Sequence, residues 1–288
     1  MQINKLPKNK FPKALLEIPQ PPENLWVKGE MPSEDLIHLC VVGSRKNTSY
    51  GRDCCEKIIA GLKGYPIVIV SGLAMGIDAI AHKKALSVGL KALVFPGSGL
   101  SPEAMYPKTN VLLANEILEA GGCLISEFDP DFKATLWSFA KRNRLMAGIS
   151  KAVLIIEAEE RSGTLITARL TTEYNRDLLA VPGSIFSPNS VGTNKLIRQG
   201  ATPVTCANDV LEALGFEIPK SEEKQAKLFL DLLPEEKMVV DILKEPLPRD
   251  ELIRAMKMSV PNANALISVM EIKGLIKEEV GEIKIDFR

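Results

Sequence analysis

The chain has 288 residues, 45% of them hydrophobic and 25% charged, as in ordinary globular proteins, with room for one α/β domain and a smaller one. Its 36 Lys and Arg balance 36 Asp and Glu, which excludes a uniformly basic nucleic-acid binder and leaves only a local basic surface possible. No apolar run approaches the roughly 20 residues of a membrane span, and the lysine- and proline-rich start lacks a secretory apolar core, so a cytoplasmic location is expected. The five cysteines, Cys40, Cys54, Cys55, Cys123 and Cys206, form no C-x-x-C pair and read as buried thiols of a reducing compartment.

Residues 1–35, with Pro19-Gln20-Pro21-Pro22, Gly29 and Pro32, read as an irregular extension that could cover an apolar surface through Leu15, Leu16, Leu25 and Trp26. From residue 36 to 216 an apolar run of strand length ends five times in a loop of Gly, Ser or Thr that opens into a helical pattern. Leu36 to Val42 meets Gly43-Ser44-Arg45, and Ile67 to Val70 meets Ser71-Gly72 and Gly76-Ile77-Asp78. Lys91 to Phe95 meets Pro96-Gly97-Ser98-Gly99, Ala152 to Ile156 meets Glu157 and then Ser162-Gly163-Thr164, and Leu178 to Val181 meets Pro182-Gly183-Ser184. Strand, loop and helix in repetition predict a Rossmann-like, doubly wound, mainly parallel α/β sheet. Its loops all lie at the carboxyl edge, where such sheets bind ligands. Loops of this composition offer backbone N–H groups and helix N-termini to an anion, so the expected ligand carries phosphate.

Residues 217–226 have a linker's composition. Beyond them, residues 227–288 fit helices over Pro234 to Leu243, Arg249 to Met256 and Pro261 to Lys273, then a hairpin over Leu275 to Phe287 turning near Gly281. That is a winged helix. Its third helix carries a single basic residue, Lys273, so contact with a protein, or a structural role, is favoured over major-groove reading. Charge divides the same way: residues 36–216 hold 19 Lys and Arg against 16 Asp and Glu, and residues 226–288 hold 10 against 12.

The densest basic cluster is Lys141-Arg142-Asn143-Arg144, beside Phe139 and Trp137. On a helix Arg142 and Arg144 point about 200° apart, so one is expected to pair with a carboxylate while another meets phosphate. Aromatic rings beside guanidinium groups suit base stacking by a single strand. Arg45, directly after the first strand, could clamp a phosphate, and Lys108 adds a cation near the third loop. Asp78 is expected to cap the helix it starts, and Asp78 and His82, spaced i,i+4, to form a structural hydrogen-bonded pair. The P-loop, the G-x-G-x-x-G fingerprint, the G-x-S-x-G elbow and His-based metal spacing are all absent, so neither a cofactor nor a metal is expected.

In this order and spacing, Gly43-Ser44-Arg45, Ser71 through Asp78, Tyr106-Pro107, Ser126-Glu127, Phe139 through Arg144, Ser162-Gly163-Thr164-Leu165 and Ala180 through Gly183 resemble the DNA-processing family DprA, also called Smf, over roughly residues 11 to 288. The resemblance implies a bacterial cytosolic protein without enzymatic activity. It would bind and protect single-stranded DNA and deliver it to the RecA recombinase during natural transformation, as a homodimer built through the Rossmann-like domain. It would place phosphate contacts on Gly43, Ser44, Arg45, Ser71, Gly72, Gly76, Ser162, Gly163 and Thr164, a base on Phe139, and Lys108, Lys141, Arg142 and Arg144 along the groove. On this resemblance, the N-terminal helical domain of some members would be absent or reduced to a stub here. Two alternatives stand beside it. One is a sensor of a free nucleotide. The other is a nucleoside-monophosphate phosphoribohydrolase of the same superfamily, whose P-G-G-x-G-T-x-x-E loop has Thr167 here in place of its carboxylate.

Overall fold

The computed structural model describes residues 1–218, 232–243, 245–279 and 281–285. All five predicted strands form: β3 (Ile37–Val42), β4 (Ile67–Ser71), β5 (Lys91–Val94), β7 (Ala152–Ile155) and β8 (Asp177–Ala180). They run parallel in a nine-stranded sheet whose order is β1 (Ile3–Lys5), β2 (Trp26–Gly29), β6 (Cys123–Ser126), β5, β4, β3, β7, β8, β9 (Thr202–Pro203). The parallel stretch β5-β4-β3-β7-β8-β9 has the strand order of a Rossmann sheet, and its direction of winding reverses between β3 and β7.

Four strands lie outside that repeat. The N-terminal extension, expected to be irregular, contributes β1 (Ile3–Lys5) and β2 (Trp26–Gly29), which join the sheet antiparallel beyond β6 (Cys123–Ser126). Its Leu15 and Leu25 are fully buried, as a covering segment requires, whereas Leu16 is 50% exposed. The short β9 (Thr202–Pro203) closes the far edge.

Continuous apolar runs mark strands covered on both faces. Along β3 the side chains alternate: Leu39 and Val41 pack against α2 (Ser49–Ala60) and α3 (Ile77–Ser87), and Cys40 and Val42 lie in the opposite core. That opposite layer is built on α5 (Leu136–Ile149) and α6 (Thr164–Glu173), which contribute Leu145, Met146, Ile149 and Ala168. Helix α8 (Ala207–Ala213) adds Val210 and Leu211 to the α2 side, α4 (Val111–Glu119) covers β5 and β6, and α7 (Val191–Arg198) leans Leu196 and Ile197 on the α6 side. All five cysteines are free thiols; Cys40, Cys55 and Cys123 are buried as expected, but Cys54 and Cys206 are only half-buried.

A second compact unit begins at Pro219. In it α9 (Pro234–Ile242), α10 (Arg249–Ala255) and α11 (Val260–Ile272) pack with an antiparallel sheet of order β10 (Leu247–Pro248), β12 (Glu282–Ile285), β11 (Ile276–Glu279). Val239, Leu252, Ala263, Ile267, Met270, Ile276 and Ile283 form its own core. Gly274 ends α11 at φ 68° and Gly281 turns the hairpin at φ 83°, left-handed positions that glycine adopts without steric cost. The predicted linker from residue 219 to 226, and the hairpin's end at Phe287, lie outside the described residues. Among those residues no helix is long and apolar enough to cross a membrane.

Candidate nucleic-acid interface

Where the winding reverses, the loops after β3 and β7 part, and a cleft of about 490 Å³ opens between them and α5. Gly43, Ser44, Arg45 and Lys46 form one wall, Ser162, Gly163 and Thr164 at the start of α6 another, and Leu136, Phe139, Arg142 and Asn143 of α5 the third. The walls are tied together. Thr164 Oγ1 donates to Gly43 O at 3.2 Å, Ile77 N donates to Ser44 O at 3.2 Å, and the Ser44 hydroxyl accepts from Lys46 N at 3.1 Å. Glu157, 2% exposed at the end of β7, accepts from both N and Oγ1 of Thr48, the residue that caps α2.

Two of the glycines are explained by these close approaches. A Cβ on Gly43 would lie 2.7 Å from Ile77, and one on Gly76, at φ 80°, would lie 2.3 Å from Ser44 O. Gly76 thus shapes the cleft from behind and does not line it.

Arg45 is exposed, and its guanidinium carbon stands 5.2 Å from the centre of the Phe139 ring. The ring itself is half-buried: it packs against Gly97, where a Cβ would lie 2.3 Å from it, and 5.7 Å from Tyr106. A cation held over an aromatic face, beside two glycine- and serine-bearing loops, gives one surface that can take a phosphate and one that can take a flat apolar ring.

Several expected contacts belong instead to the scaffold. Ser71 is fully buried with its hydroxyl donating to Val41 O at 2.7 Å, and Gly72 N donates to Asp78 Oδ2 at 3.1 Å, so both lie under the floor. Arg142 lines the cleft but is only 4% exposed, and its Nη1 is spent on the scaffold, donating to Gly72 O at 2.8 Å and to Phe95 O. It links the loops after β4 and β5 from below, and burial lowers its pKa to about 10. Arg144 and Lys141 both pair with Glu127, which realises the expected division of the basic cluster for Arg144 but turns Lys141 away from the cleft, over Phe128 and Trp137. Lys108 Nζ donates to Pro102 O and Glu103 O and so closes a turn.

Asp78 also departs from expectation. Its carboxylate accepts from Gly72 N and Ala74 N, holding the loop that precedes α3, and takes no part in a bond with His82. Burial raises its pKa, opposed by Arg142 and the two N–H groups. His82 is fully buried and makes no bond with a carboxylate; burial lowers its pKa to about 3.

Lys46, Asn143, Glu159, Ile166 and Thr167 line the cleft and were not singled out as contacts by sequence. For Lys46 the signal was its place beside Arg45. For Asn143 it was the helical step of four from Phe139.

The family model described as DNA recombination-mediator protein A matches residues 3–215. Protein Smf of Escherichia coli is 35% identical over 272 residues, 92% of this chain and 72% of the relative. DNA processing protein DprA of Streptococcus pneumoniae is 39% identical over 206 residues, 72% of each chain. Its X-ray structure superposes with TM-score 0.69 over 76% of each chain at 38% identity. DNA processing protein A of Helicobacter pylori, a protein whose structural study concerns its single-stranded DNA binding mode, superposes with TM-score 0.66 at 30% identity, over 74% of this chain and 95% of that one.

Proposed function

We propose, because this chain belongs to the DNA recombination-mediator protein A family, that the cleft between β3 and β7 holds single-stranded DNA. The observation that carries this reading is Arg45 poised over Phe139 beside the Gly43-Ser44 and Ser162–Thr164 loops. A phosphate would sit between Arg45, Lys46 and the loop N–H groups, with a base against the Phe139 side. Phosphate contacts position a strand without reading it, and a stacking ring accepts every base, so little sequence preference is expected.

The homodimer and the delivery of the strand to the RecA recombinase in transformation are part of this proposal and rest on the family resemblance. The binder is read as non-catalytic. Thr167 stands in the cleft wall where the related phosphoribohydrolases carry their carboxylate, and Asp78 is engaged by backbone N–H groups.

Competition among single strands, duplex and mononucleotides at matched salt tests the reading. The single strand should compete best. With two exposed cations in the cleft, log affinity should fall against log salt with a slope of about −1.4 per occupied cleft, from about −0.7 per neutralised phosphate. Tighter binding of duplex or of a mononucleotide, or a slope near zero, rejects it.

A further inference from the structure

We infer that the loop after β8 and the start of α2 form a second base-stacking subsite for the same strand, with Phe186 and Tyr50 as its rings. This rests on the single-strand reading of the first cleft.

A trough of about 520 Å³ lies at the carboxyl edge one strand beyond that cleft, lined by Thr48, Tyr50, Pro182, Gly183, Ser184 and Ser187 among others. Phe186 is 90% exposed, its neighbour Ile185 82%, and Tyr50 47%. Contiguous exposed apolar side chains, unlike single ones, mark interaction sites. Here the backbone holds them outward. Phe186 N donates to the Ser184 hydroxyl at 3.2 Å and Ser187 N to Ser184 O at 3.0 Å, which closes a turn. The base of the loop is fixed by a reciprocal pair, Gly183 N to Asn194 Oδ1 at 3.2 Å and Asn194 Nδ2 to Gly183 O at 3.0 Å. The Tyr50 hydroxyl donates to Pro182 O at 2.6 Å, which anchors the far end of its ring to the same loop.

Trough and cleft share a wall, and this identifies the occupant. The loop after β3 lines the cleft with Gly43 to Lys46 and reaches the trough at Thr48, and Asn189 Nδ2, from the loop after β8, donates to Lys46 O at 3.1 Å. A strand whose phosphate meets Arg45 and Lys46 therefore has its next nucleotides carried toward Tyr50 and Phe186. The trough offers them the Tyr50 ring, serine and threonine hydroxyls and no carboxylate, and Phe186 stands on the loop between its lining residues Ser184 and Ser187. That is the chemistry of a sequence-tolerant stacking step, which takes a flat base and does not repel the phosphate beside it.

The test is affinity measured with oligothymidylates of increasing length, for the full chain and for Phe186→Ala and Phe186→Trp. Phe186 is almost wholly exposed, so neither substitution disturbs a core. For the shortest strands that bind, all three proteins should match. For longer strands Phe186→Ala should bind at least about fivefold more weakly, the equivalent of 1 kcal/mol per lost stack, and Phe186→Trp should recover wild-type affinity. Tyr50→Phe, which keeps the ring, should lose less than Tyr50→Ala. Equal affinities at every length, or a loss independent of length, overturn the subsite. So does a change of oligomeric state in Phe186→Ala without a change of affinity, which would assign the tip to a contact between copies. A wild-type chain that binds no strand overturns the reading of the first cleft instead.

Discussion

Arg45 and Phe139 share one surface but offer it to different parts of a nucleotide, so their substitutions should separate. Arg45→Ala is expected to weaken every strand alike and to make the salt slope shallower by about 0.7, because it removes one phosphate contact. Phe139→Ala should keep the wild-type slope and lose about 1–3 kcal/mol of binding. The guanidinium lies 5.2 Å from the ring centre, so the double variant should lose less than the sum of the two. Salt titrations of all four proteins check this, and an unchanged slope in Arg45→Ala moves that residue out of the contact. Arg142 should behave differently, since its bonds go to Gly72 O and Phe95 O and its charge faces the buried Asp78. Removing the guanidinium leaves two buried carbonyls without their donor, so Arg142→Met should cost about 1–3 kcal/mol in urea unfolding. Wild-type stability in that variant would remove Arg142 from its linking role.

The elements most legible in the sequence were those whose signal is local. The five parallel strands are unbroken apolar runs followed at once by loop residues, and α9, α10 and α11 are bracketed by prolines and Gly274. Strands β1, β2 and β6 were not, because an edge or antiparallel strand needs no following helix, and Trp26–Gly29 becomes a strand only through its pairing with Cys123–Ser126. The same limit applies to the site. Position after a strand was enough to select Gly43, Ser44, Arg45 and Ser162 to Thr164, but whether a cation faces the cleft or a carbonyl depends on contacts made far along the chain. Lys108 turns to Pro102 and Glu103, and Arg142 to residues 47 and 70 positions away. Glu157 carries a further such contact, 109 positions long, between the end of β7 and the N-terminus of α2. Glu157→Gln keeps the size but loses the charge at a helix N-terminus and one acceptor, so it should destabilise the body by about 1–2 kcal/mol in urea unfolding. No measurable loss would mean that Thr48 caps α2 unaided.

For the whole molecule, charge and packing divide in the same place. Every loop that lines the cleft lies in the first unit, which ends at Ile218, and residues 36–216 carry the excess of Lys and Arg. The second unit has a core of its own, drawn from all three helices and from β11 and β12. Its third helix exposes Asn262, Ala265, Ser268, Val269 and Ile272, a face without charge where a DNA-reading helix would present basic groups. Its Arg249 is already held by Glu271 and Glu278, and Lys273 by Glu236. A chain cut after Ile218 should therefore fold and keep single-strand affinity and salt slope close to those of the full chain. The complementary piece should unfold cooperatively and bind both single strands and duplex poorly at physiological salt, because residues 226–288 hold 10 Lys and Arg against 12 Asp and Glu and Arg249 and Lys273 are already paired. Fluorescence anisotropy on the two pieces decides between this division and a shared groove. Tight duplex binding by the isolated second unit, or loss of strand affinity in the first, would show that the second unit contributes directly to holding DNA.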